Sequence, residues 1–70
     1  MNQAIKWADQ EFAKHPTRDS QQKRLASEVA FQVLVADLPR PASISERKWQ
    51  ESAKAHTLLI ERLQRALTAA

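Results

Sequence analysis

A chain of 70 residues without a single glycine has little means of building a β-sheet, because tight hairpin turns and positive backbone φ angles draw on glycine more than on any other residue. Ala, Leu, Gln, Glu, Lys and Arg, all strong helix formers, dominate instead, and the chain reads as all-α. Its three prolines, Pro16, Pro39 and Pro41, act as punctuation, since the residue before a proline is disfavoured in the helical region. They predict a single domain of three helices, over about 3–14, about 18–38 and about 44–68. Thr17 is placed to cap the second helix, with Asp19 in its first turn where a carboxylate suits the dipole. Ser43 and Glu46 have capping-box spacing for the third, after a stiff link from Pro39 to Ala42. At 1.5 Å per residue the two long helices measure about 30 and about 37 Å, a match for an antiparallel hairpin.

Apolar residues on these helices outnumber the faces available to cover them. The third helix carries Trp49, Ala53, His56, Ile60, Leu63, Leu67 and Ala70 at alternating three- and four-residue spacing, a helix-pairing seam with one imidazole in its middle. Ile5, Ala8 and Phe12, flanked by Ala4, form the stripe of the first helix. The second helix presents two faces: Leu25, Val29, Val33 and Ala36 with Ala26 and Ala30, and separately Phe31, Leu34, Val35 and Leu38. The third helix is expected to cover the first of these and the short first helix part of the second. A chain this small hides only about 60% of the surface its unfolded form exposes, and there is no cysteine for a disulfide and no Cys/His cluster for zinc. Oligomerisation is the remaining common staple. The sequence therefore predicts a homodimeric helical bundle with Phe31, Leu34, Val35, Leu38, Trp49, His56, Ile60 and Leu63 at its core or interface; a monomeric three-helix bundle is the alternative.

The net charge of +3 has an address. Lys14, Arg18, Lys23 and Arg24 less Asp19 supply it, and the seven remaining basic residues balance seven acids. This basic turn stands at the start of the second helix, the end whose dipole already favours anions, so it works against helix stability and invites a partner: phosphates, or an acidic patch on a protein. A solvated helix entrance that only aids solubility is the plainer reading. Trp7, on the flank of the first helix beside Glu11 and Lys14, reads as a partly exposed anchor or as a lid over the end of the second helix. Leu58 points away from the seam among Arg47, Glu51, Lys54, Glu61, Arg62 and Arg65, and would be the first apolar contact for a partner on that side. His56 reads most simply as a packed residue bonded through one ring nitrogen, and more sharply as a register device sensitive to pH.

Catalysis finds almost no support, with no cysteine nucleophile, no glycine-rich phosphate loop and no acid placed to orient His15 or His56. Glu11 and His15 stand one helical turn apart, but two ligands do not make a metal site, and no cofactor is expected. The N-terminal residues do not have the pattern of a signal peptide, and the longest apolar run, Val33 to Ala36, is far short of the roughly 20 residues of a membrane span. Together these point to a cytoplasmic, non-catalytic interaction protein, a regulator or inhibitor that blocks a larger protein partner, of the kind small bacterial and phage helical proteins often are. Trp7, Lys14, Arg18, Lys23, Arg24 and Leu58 are its expected contact residues. The alternative is a dimeric nucleic-acid-binding protein using the same basic turn from both subunits.

Overall fold

The computed structural model describes residues 3–69, which form three helices, α1 (Gln3–Ala13), α2 (Arg18–Ala36) and α3 (Glu46–Thr68), with no strand among the described residues. Asn2, the earliest expected start of the first helix, and Ala70, the expected end of the apolar seam, lie outside them. α1 ends just ahead of the pre-proline residue His15, whose N–H bonds the carbonyl of Phe12 at 3.0 Å in a tightened last turn. Thr17 caps α2 as expected, its hydroxyl accepting the Ser20 N–H at 3.1 Å.

Two boundaries move. α2 stops at Ala36 rather than near Leu38, because Leu38 precedes Pro39; its N–H bonds the carbonyl of Val35 at 3.0 Å and ends the helix there. α3 starts at Glu46, and its cap is Ser45, not Ser43. The Ile44 N–H closes a turn onto the Pro41 carbonyl, which holds Ser43 inside that turn, while Ser45 is extended and accepts the Lys48 N–H at 3.2 Å. Ser45→Ala is expected to lower stability by about 1 kcal/mol, and Ser43→Ala by less than about 0.5 kcal/mol, in thermal melts followed by circular dichroism. Equal losses would return the cap to Ser43.

α3 is the common support of the other two helices, and α1 lies against more of it than α2 does. The pairs Arg18–Leu67, Glu28–His56 and Gln32–Thr57 show that α2 and α3 run in opposite directions. The core is small: Ala8, Leu59 and Leu63 are buried together, with Trp7, Phe12, Leu25 and Leu58 packed partly over them. Arg62 clamps the outside of α1, bonding Asp9 at 2.6 Å and lying 4.8 Å above the Phe12 ring.

Ile60 and Leu63 are buried as the seam predicts, but the seam marks only one edge of what α3 hides. With α1 on its other side, α3 also buries Ala55 and Leu59. Leu58, expected to stand alone in solvent, is half-buried against the core for the same reason. Ile5 and Trp7 exchange roles: Ile5 is 49% exposed, and Trp7 joins Ala4, Ala8 and Phe12 on the inner face of α1. The largest correction concerns α2. Its expected core face, Leu25, Val29, Val33 and Ala36, does not point inward as a unit, for only Leu25 packs on the core while Val29, Val33 and Ala36 are exposed. The single fully buried residue of α2 is Glu28.

Candidate functional site

Glu28 is the hub of a polar network that joins all three helices. Its Oε1 accepts from Arg24 Nε at 2.8 Å and its Oε2 pairs with His56 Nδ1 at 2.6 Å, so one carboxylate bridges a guanidinium on its own helix and an imidazole on α3. A carboxylate only accepts, so the imidazole presents Nδ1–H; against the expectation that no acid is placed to orient His56, Glu28 does so from another helix, 28 residues away along the chain. The His56 ring lies between aromatics, 4.7 Å from Trp7 and 5.0 Å from Phe31 between centroids. Arg24 continues the network to α1, donating to Glu11 Oε1 at 3.1 Å, and Lys14 closes it on Glu11 Oε2 at 2.7 Å. The bond from Lys14 holds the Glu11 carboxyl below its ordinary pKa against the opposing effect of burial, with help from Arg24. Burial works to lower the Arg24 pKa, but its bonds to Glu28 and Glu11 outweigh that and raise it further.

The basic turn is therefore not a patch of free cations. Arg24 is inside the network, and its Nη1 also lies 3.3 Å from His15 Nε2. Lys14 is held by Glu11, and Lys23 pairs with Asp19 at 3.2 Å, although both of those partners face solvent. Arg18 donates to the carbonyl of Leu67 at 2.6 Å, which sets a cation at the C-terminal end of α3. This explains why basic residues gather where the dipole of α2 disfavours them: α3 runs the other way, and its negative end arrives at the same place. His15 is occupied too, with Nδ1 2.6 Å from the Ser20 hydroxyl. Among the described residues no three His, Cys, Asp or Glu side chains converge as a metal site.

Trp7 is half-buried, packed on the core and against His56. Trp49 and Ala53, expected to be closed over by α2, instead line an open cleft of about 480 Å³ with Phe31, Val35, Leu38 and His56. The cleft lies between the second half of α2 and the first part of α3, and its walls are mostly apolar. Beyond the cleft, the side of α2 turned away from α3 is apolar as well, with Val33 66% and Leu34 63% exposed. Helices of soluble chains ordinarily turn their apolar side inward. Over its second half α2 does the reverse, turning Glu28 and Gln32 towards α3 and its valines and leucines outward.

Glu28 and Gln32 were the residues that sequence reasoning missed. The signal for Glu28 was its position one turn after Arg24 and within the arc that also holds Gln21, Leu25 and Gln32, which makes a polar stripe at helical spacing. Polar stripes ordinarily mark the solvent side, so the periodicity by itself pointed the wrong way.

What fold and surface define is a small all-helical chain, locked inside by an ion-pair network, that displays apolar surface over one half of one helix. No family model, no curated protein and no solved structure matches it. No helix among the described residues is long and apolar enough to cross a membrane.

Proposed function

We propose that this chain is a cytoplasmic, non-catalytic protein-interaction module, working as a paired hairpin of α2 and α3 in a homodimer, that regulates or inhibits a larger protein by taking an apolar helix of that protein into the cleft between α2 and α3. The observation that carries the reading is the cleft itself, a mostly apolar opening walled by Phe31, Val35, Leu38, Trp49 and Ala53 in a chain with so small a core. Helix-in-groove recognition uses such openings, with a tryptophan as a typical energetic anchor.

The nucleic-acid reading draws on Lys14, Arg18 and Lys23 alone, because Arg24 is tied to Glu11 and Glu28. Salt and one substitution separate the two. Ala53 is exposed, so Ala53→Glu is expected to leave the fold intact while placing a charge in the cleft. The wild-type chain is expected to retain its protein partner in high-salt affinity capture and Ala53→Glu to lose it. Capture of nucleic acid that is released by salt and by replacing Lys14, Arg18 and Lys23 with Gln, yet is indifferent to Ala53→Glu, would overturn the proposal.

A further inference from the structure

The side of α2 that points away from α3 carries Lys23, Ala26, Ala30, Val33 and Asp37 along its centre line, spaced three, four, three and four residues apart. Val29 and Leu34 stand at its edges, both exposed. All five centre-line residues are exposed, and none of them lines the cleft. Its ends are charged and opposite. Lys23 lies seven residues before Ala30 and Asp37 seven residues after it. Among the described residues Lys23 has the solvent-exposed Asp19 as its one ion-pair partner and Asp37 makes no ion pair.

We propose that this arc pairs with the same arc of a second copy of the chain, the two α2 helices running antiparallel about a two-fold axis at Ala30. The arrangement rests on the reading of the working unit as a pair and gives it a geometry. With the axis at Ala30, residues equally far before and after it face each other, so Lys23 meets the partner's Asp37 and Asp37 meets the partner's Lys23. A parallel pairing would set lysine against lysine and aspartate against aspartate, so the charges choose the antiparallel one. Size agrees as well. Ala26 falls opposite the partner's Leu34, small against large, and alanine on the axis lets the helices approach closely. Such an isologous contact closes on itself and stops at two chains. It spans about 21 Å of helix, less than a standard interface of about 800 Å² per partner requires, so the pair is expected to form reversibly at micromolar concentration. Both clefts stay open on the outside of the pair.

The test is sedimentation equilibrium of the full chain over a concentration series, with far-UV circular dichroism to confirm that each variant is folded. The wild-type chain is expected to dimerise. Lys23→Asp and Asp37→Lys each replace two opposite-charge contacts with two like-charge ones, and each is expected to weaken the dimer about tenfold. An equimolar mixture of the two variants restores both contacts and is expected to recover wild-type affinity as a heterodimer. Ala30→Cys, at the axis, is expected to cross-link to itself on oxidation. A wild-type dimer that ignores both charge changes overturns this arrangement while leaving the reading as a pair in place. A wild-type chain that stays a monomer at millimolar concentration overturns both.

Discussion

Glu28→Ala is expected to cost about 3 kcal/mol, at the lower end of the 3–5 kcal/mol typical of removing one partner from a buried charge pair. The lower end applies because Arg24 keeps Glu11 and its side chain is 22% exposed, so the guanidinium left behind is only partly stranded. A chain of this size has about 4–10 kcal/mol in total, which makes the loss a large share of its stability. Urea unfolding followed by circular dichroism reads it as a lower midpoint at unchanged slope. Glu28→Gln, which keeps the shape and one acceptor but removes the charge, is expected to fall between the two. Replacing both partners, Arg24→Met with Glu28→Leu, is expected to recover most of the stability, because the penalty comes from an unpaired charge rather than from the absence of a salt bridge. A loss for Glu28→Ala below about 1 kcal/mol, the scale of a surface ion pair, would show that water already reaches the network.

Leu59→Ala is expected to cost about 3–4 kcal/mol. Leu59 is fully buried between α1 and the rest of α3, in contact with Ala8 and Leu63, and truncating such a leucine loses both its transfer free energy and the contacts around the space it leaves. The small residue beneath it matters, since Ala8 offers no side chain to swing into the gap. The same truncation at Leu34, which is largely exposed, is expected to change the unfolding of the dilute chain by less than about 0.5 kcal/mol. The contrast separates residues that hold one chain together from residues that await another. Equal effects at Leu59 and Leu34 would mean that the apolar side of α2 is covered within a single chain.

Much of the architecture was legible in the residues because it is local. Absent glycine excluded sheets, the prolines set the number of helices, and Thr17 met its capping role through a bond three residues away. The errors at Ser43 and Leu38 are also local but finer, since each hangs on how the Pro39–Pro41 link turns. Leu58 and Leu59 show where periodicity stops being enough. An apolar stripe locates the face of a helix that one neighbour covers, and α3 has two neighbours, so its hidden arc is wider than any single stripe.

The candidate site was less legible, and α2 shows why. Its outward valines and inward glutamate cannot be told from their mirror arrangement by spacing, because a rotation of the helix about its own axis exchanges the two without changing the sequence pattern. The rotation is fixed by long-range partners: His56 and Thr57 on α3 and Glu11 on α1, each at least thirteen residues away along the chain. What the sequence by itself determined is the all-α class, three helices, the cap at Thr17, and the burial of Ile60 and Leu63. Only the tertiary structure decided which side of α2 turns inward, that Arg24 belongs to a part-buried network rather than to a basic patch, and that the apolar surface lies on the outside. Local propensity and capping act over a few residues and can be read there, whereas the energy that orients one helix against another resides in pairs of side chains brought together only by folding.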